Sequence, residues 1–146
     1  MKVIRVTEEW QKAAVYYVRA RAMCIGFRVP FSMEFGGDKP EHDYVLVMDG
    51  DKAVSTCRIN WLDENTGKIE RVATLEEYRG KHFGQAGIIE AENWMREKGI
   101  TKVLVDSREA ALGFYEKLGY VPDYTKRSGS GDFRCIMTEK YIGDKL

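Results

Sequence analysis

Residues 69–99 read IERVATLEEYRGKHFGQAGIIEAENWMREKG, and the reading of this stretch decides the fold. Its first part, residues 69–75, carries the β-branched and apolar side chains of a strand. From Gly84 onward apolar residues recur at Ile88, Ile89, Ala91, Trp94 and Met95, the spacing of one helical face. Between strand and helix lies a turn with glycines at 80 and 84. Such a turn lets successive backbone N–H groups point at one anion, with the positive end of the helix dipole behind them. The stretch therefore reads either as a phosphate site or as an ordinary strand-turn-helix connection.

Two familiar phosphate loops are excluded. A Walker loop needs G-x-x-x-x-G-K-[ST], whereas Gln85 and Ala86 follow Gly84. A Rossmann fingerprint needs a different glycine spacing from Gly80, Gly84 and Gly87 and an acidic residue after a second strand. The turn instead resembles the pyrophosphate loop of the GNAT superfamily of acyl-CoA-dependent N-acyltransferases, [Q/R]-x-x-G-x-[G/A]. The register is Arg79, Gly80, Lys81, His82, Phe83, Gly84, with His82 where the pattern has its inner glycine.

A second block, DSREAALGFYEKLGY at residues 106–120, resembles the other GNAT signature, in which a helix following a strand ends in F-Y-x-K-L-G-[F/Y]. Taken alone, Ala110, Ala111, Phe114, Tyr115 and Leu118 make one apolar helical face that Gly119 terminates, as in any packed helix. Over most of its length the chain is similar to the ElaA-like branch of small GNAT proteins, and the blocks VATLEEYRGKHFG (72–84) and GFYEKLGY (113–120) carry most of that weight.

Composition bounds the rest. A chain of 146 residues builds one domain with a real core, taken as residues 1–146. Lys plus Arg and Asp plus Glu both number 23, so no net charge recruits nucleic acid or an anionic membrane. No apolar run approaches the roughly 20 residues of a spanning helix, and the N-terminus lacks the apolar core of a signal peptide. A cytoplasmic location is expected, which Cys24, Cys57 and Cys135, odd in number and widely spaced, also fit. No metal is expected, because His42 and His82 lack ligand partners at usable spacing.

In order, residues 2–6 alternate as a strand and Thr7 is the expected N-cap of a helix reaching about Cys24, with Trp10, Ala13, Ala14, Tyr17, Val18 and Met23 as its apolar face. Residues 26–42 read as a long loop with one turn of helix at most. Strands at 44–48 and 52–62 join at Asp49-Gly50-Asp51, a hairpin signal, and the polar turn 63–67 leads into the central strand. After strand 102–106 and the second helix come two strands, 120–124 and 133–141, separated by a polar loop at 125–131. The fold class is α/β: a GNAT-like mixed, mostly antiparallel, twisted sheet flanked by helices.

The resemblance implies an acetyl-CoA-dependent N-acetyltransferase acting by direct attack of a primary amine, small-molecule or peptide. The oligomeric state, including a homodimer, stays open. CoA would lie with its pantetheine arm along the main chain of Val72, Ala73 and Thr74 and its pyrophosphate against the amides of residues 79–85, that is Arg79, Gly80, Lys81, His82, Phe83, Gly84 and Gln85. Tyr115 matches the tyrosine that faces the CoA sulfur and would protonate the leaving thiolate; as bare sequence it is equally a core aromatic. Glu70 is the carboxylate of the central strand, and by alternation it shares a face with Val72 and Thr74. It is either the amine's base or a partner of Arg71 or Arg58. Arg108 stands where these proteins show Asn or Gln, and either turns to the cofactor or lies on the surface. The acceptor side departs further: Gly26, Phe27 and Arg28 precede Val29-Pro30 where the branch has Glu-Gln, and Gly131 to Arg134 replace a G-I-P-H segment. Two alternatives remain, a non-enzymatic acyl-CoA-binding or sensing module and a structural domain that has lost CoA.

Overall fold

The apolar runs flanking Gly50 pair as expected. Strands β2 (Asp43–Asp49) and β3 (Lys52–Trp61) are antiparallel, and Gly50 turns the chain at φ 62°. The computed structural model describes residues 1–143. With β1 (Lys2–Arg5), β4 (Thr66–Thr74), β5 (Lys102–Arg108), β6 (Val121–Ser128) and β7 (Cys135–Tyr141), these strands form a seven-stranded sheet in the order β1-β2-β3-β4-β5-β7-β6. Neighbours are antiparallel except β4 and β5, which are parallel. The mixed, mostly antiparallel sheet expected from the sequence is the one the chain forms.

Helices cover both faces. Along β2 the pleat sends Val45 towards Ile88, Ala91 and Met95 of α3 (Phe83–Glu97), and Tyr44, Leu46 and Met48 towards Val15 of α1 (Glu9–Arg19). α2 (Phe31–Phe35) lies on the α1 side through its Glu34, and α4 (Leu112–Lys117) on the α3 side through Tyr115. Ile89, expected on the buried face of α3, is 44% exposed. Gly67 of β4 faces Met95, whose Cε and Sδ would stand 3.0 Å from a Cβ there, so glycine lets strand and helix close.

Three local expectations give way. The N-cap of α1 is Glu8, not Thr7: Glu8 and Gln11 form a capping box, and Gln11 Oε1 also accepts from the Thr7 amide at 2.8 Å. The buried face of α1 is Val15, Val18 and Arg19, whereas Trp10 and Tyr17 are about half exposed. The helix rolls to bury Arg19 completely, because Glu34 and Asp38 hold its guanidinium. Third, β6 runs on through the expected loop to Ser128: its register jumps from Asp123 to Arg127, so residues 124–126 loop out and pairing resumes.

The feature that makes the site is in β4. Its partners on β3 shift from Arg58 opposite Glu70 to Thr56 opposite Ala73, so Arg71 and Val72 together oppose one residue, Cys57. Arg71 takes φ 51° to make this bulge. The bulge reverses the alternation. Glu70 and Ala73 face the α1 side, whereas Val72 packs with the α3 cluster and Thr74 stands against Gly84 of α3. Glu70 therefore does not share a face with Val72 and Thr74, contrary to simple period-two reading. Beyond Lys68 and Leu104 the parallel strands have no further register pairs, and a gap opens between them.

Candidate active site

The gap between β4 and β5 is a cleft of about 1500 Å³ that passes from one face of the sheet to the other. Val72, Ala73 and Thr74 of β4 line it, as do Glu70, Tyr115 and Arg108. Of the loop residues, Arg79, Gly80, His82, Phe83, Gly84 and Gln85 line it too, whereas Lys81 does not: its ammonium lies 5.9 Å from the Tyr78 ring.

On the α3 side the chain leaves β4 through a single tight turn, Glu76–Tyr78, and then alternates handedness: Arg79 is extended, Gly80 has φ 74° and His82 has φ 69° just before α3 begins. The first amides of α3 have no carbonyl one turn back and sit at the positive end of its dipole. Gly84 brings this start against the end of β4, since a Cβ there would lie 3.3 Å from Thr74 Oγ1, itself bonded to Ser55 Oγ at 2.8 Å. His82 contributes an amide in the left-handed region, and its ring contacts Gln85 Oε1 at 3.2 Å. Arg79 is anchored by a bond from its Nε to the Thr74 carbonyl, 3.1 Å. These residues fit a diphosphate: consecutive donors, a helix terminus, one cation, and open space at Gly80.

Tyr115, on α4, is 6% exposed, edge-on to Phe114 at 5.0 Å and to Tyr120 at 5.9 Å. Burial above all, with Cys57 and Cys135 nearby, pushes its phenol well above the ordinary tyrosine range, so it is protonated throughout the physiological range. Among the described residues its hydroxyl has no hydrogen-bond partner, although it lines the cleft. That leaves it free to donate to a ligand.

Glu70 is differently placed. Arg58 Nη2 donates to Oε1 at 2.8 Å and Lys68 lies 3.6 Å from Oε2. Burial raises its pKa, but the Arg58 hydrogen bond and the charges of Arg58 and Lys68 outweigh this, and the carboxyl sits below the usual range. Of the two partners that the sequence left open, Arg58 is the one that binds it. Glu70 is one link of a chain of ion pairs that the sequence reading missed: Glu34, Arg19, Asp38, Arg58, Glu70, Lys68 and Asp106 follow one another at 2.9, 2.6, 2.6, 2.8, 3.6 and 2.8 Å. Asp38 is its centre, taking bonds from Arg19, Arg58 and the Tyr44 hydroxyl. Burial opposes the charge on Asp38, yet Arg19 and Tyr44 hold its pKa down at about 2. The available signal was Arg58 in mid-strand among apolar residues, since a cation there demands a buried partner.

Arg108 turns neither to bulk solvent nor to the pyrophosphate loop. Its guanidinium rests against the rings of Phe27, 4.8 Å, and Phe133, 5.0 Å, which themselves meet edge-on at 5.9 Å, and its Nε donates to the Asp132 carbonyl. Arg79 lies 5.8 Å from the other partner of this stack, Phe27. Three chain segments so meet across the cleft: residues 26–42, the glycine turn and the β6–β7 connection. Among the described residues, all three non-glycine residues with positive φ, Arg28, Arg71 and His82, line this cleft.

Comparison with known proteins agrees with this architecture. The model of the acetyltransferase (GNAT) family matches residues 6–120. The uncharacterized N-acetyltransferase YjcF of Bacillus subtilis (strain 168) is 27% identical over 121 residues, covering 82% of this chain and 85% of its own length. Escherichia coli ElaA superimposes with a TM-score of 0.80 at 18% identity, over 95% of this chain and 98% of its own. An aminoglycoside 6'-N-acetyltransferase complexed with coenzyme A also gives 0.80, at 14% identity, over 100% and 99%.

Proposed function

Because the chain belongs to the acetyltransferase (GNAT) family, we propose that it moves an acetyl group from acetyl-CoA directly to a primary amine within a ternary complex. The carrying observation is that one cleft holds both an anion-binding helix start and, across the β4–β5 gap, the protonated, unpartnered hydroxyl of Tyr115. Acetyl-CoA supplies an acyl carbon activated as a thioester.

The amides of residues 80–85 and the Arg79 guanidinium bind the diphosphate. The bulged main chain at Val72, Ala73 and Thr74, with no β5 partner, pairs with the amides of the pantetheine arm. Tyr115 donates its hydrogen bond to the sulfur as the C–S bond breaks, stabilising a thiolate whose own pKa is about 8.5. With its pKa held low by Arg58, Glu70 is a weak base; its part is to order the water that carries the amine's proton away. The amine enters from the α1 side, the face opposite the diphosphate site.

Incubation of the protein with acetyl-CoA and a panel of amines tests this, by release of the CoA thiol and by mass of the product. Amine-dependent release with an acetylated product is expected. CoA binding without release for any amine would overturn the reading in favour of a non-enzymatic acyl-CoA-binding module.

A further inference from the structure

The acids of the cleft wall are all matched. Glu34 pairs with Arg19, Glu70 with Arg58 and Lys68, and Asp106 with Lys68. The cations are not. Arg79 belongs to the diphosphate turn, but Arg28, in the segment that follows α1, and Arg71, beside Glu34 of α2, also line the cleft. Among the described residues Arg28 has no carboxylate partner. Arg71 donates only through Nε, at 3.3 Å to the Glu34 main-chain carbonyl and 4.0 Å from a Glu34 carboxylate that Arg19 already holds. Among the described residues its two terminal nitrogens have no partner, and its side chain, on the cleft wall, is 38% exposed.

Backbone conformation marks the same two residues, as it does His82 of the diphosphate turn. Arg28 and Arg71 both lie in the left-handed region, at φ 57° and 51°. Arginine has no intrinsic preference for that region, where Gly, Asn and Asp are the common occupants. A strained φ persists where something specific needs that residue. At Arg71 the strain makes the bulge that opens the cleft, yet glycine would make the same bulge without strain; what glycine lacks is the guanidinium.

Resting on the transferase reading above, we propose that the acceptor is a primary amine that also carries an anionic group, a carboxylate or a phosphate, bound by Arg28 and Arg71. Guanidinium forks match both oxyanions, so one site serves either. The position fits the reaction. The diphosphate is held on the α3 side, so an acceptor attacking the thioester comes through the gap from the α1 side, past Arg71 and Glu70. Glu70, ionised and fixed by Arg58, lies beside the approaching ammonium while the arginines hold the anion. A chain of zero net charge thus presents an unbalanced cationic wall where its second substrate enters.

The test uses acceptor pairs that differ only in the anion: phosphoethanolamine against ethanolamine, and 4-aminobutyrate against its amide. Each is titrated calorimetrically into the CoA-saturated protein and assayed for kcat/KM. The anionic member of at least one pair is expected to be favoured by about tenfold or more in both measurements. Which pair responds separates phosphate from carboxylate. In Arg28→Gly and Arg71→Gly, which preserve the backbone conformation without strain, that advantage should vanish while CoA affinity is unchanged. No preference for the anion in either pair overturns the proposal, as does a preference that both variants retain. Turnover failing for every acceptor while anion-dependent binding persists would instead remove the transferase reading and leave the anion site standing.

Discussion

Arg58 on β3 and Glu70 on β4 face each other across one rung of the sheet, 2.8 Å apart, with side chains only 6% and 17% exposed. The pairing keeps Glu70 ionised below the usual carboxylate range. Its titration therefore does not produce the acid limb of the pH-rate profile; the acceptor's own ammonium does. We expect kcat/KM to rise with pH to a plateau whose midpoint moves with the pKa of the amine supplied. In Glu70→Gln the rate should drop several-fold with the midpoint unmoved. A midpoint that stays fixed across amines of different pKa and disappears in Glu70→Gln would make Glu70 the base.

Tyr115→Phe should lower kcat roughly ten- to a hundredfold with CoA affinity, read by calorimetry, nearly unchanged. Because burial raises the phenol pKa, the protonated donor persists to pH 10 and beyond, and Tyr115 gives no alkaline loss below that. Equal losses of rate and affinity would indicate that the ring acts only by packing.

Asp38→Asn removes the centre of the ion-pair chain and leaves Arg19 and Arg58 buried with less charge than they need. A loss of about 3 kcal/mol is expected in urea unfolding at pH 7. The sign with pH follows from the depressed pKa. Wild-type Asp38 contributes stability that is fully present above about pH 4 and lost as pH falls through its folded pKa of about 2. The difference between wild type and variant should therefore shrink over that window and nowhere else. A difference independent of pH down to pH 2 would contradict the charge-based account.

His82→Gly removes a side chain from a left-handed φ of 69°. Relief of that strain should leave the fold unharmed or more stable by up to about 1 kcal/mol. Since the ring contacts Gln85, CoA should bind as tightly or tighter at every pH between about 5.5 and 8.5. Weaker binding, most of all at low pH, would make the ring a phosphate ligand. Gly80→Ala, at φ 74°, should do the reverse and weaken CoA.

Local signals in the sequence were sufficient for the hairpin at Gly50, the strand-turn-helix at residues 69–99 and the helix bearing Tyr115, because each is written in neighbouring residues. What stayed hidden depends on distant partners. The roll of α1 follows from Arg19 meeting Glu34 and Asp38, 15 and 19 residues away in the chain. The reversal at Glu70 follows from a bulge at an arginine, a residue type that does not announce one. The aromatic clasp on Arg108 needs Phe27 and Phe133, which are far apart in sequence and individually look like surface hydrophobics.

The parallel pairing of β4 with β5 spans only three residues on each strand, Thr66 to Lys68 against Lys102 to Leu104. The sheet is thus two leaves, four strands and three, bound along a short spine at one end. Lys68 and Asp106 reinforce that spine at 2.8 Å, and α3 ties the leaves on its side through the shared apolar core and the bonds of Glu92 to Tyr120 and Lys140, while at the open edge Phe27 rests on Arg108 and Phe133. In such a book a change of opening angle at that edge stretches stacking contacts and breaks no ladder bonds between the leaves. A ligand whose backbone-like arm bonds to one leaf while its far end meets the other would set that angle, and the order in which two substrates can enter would follow from the hinge rather than from either pocket alone.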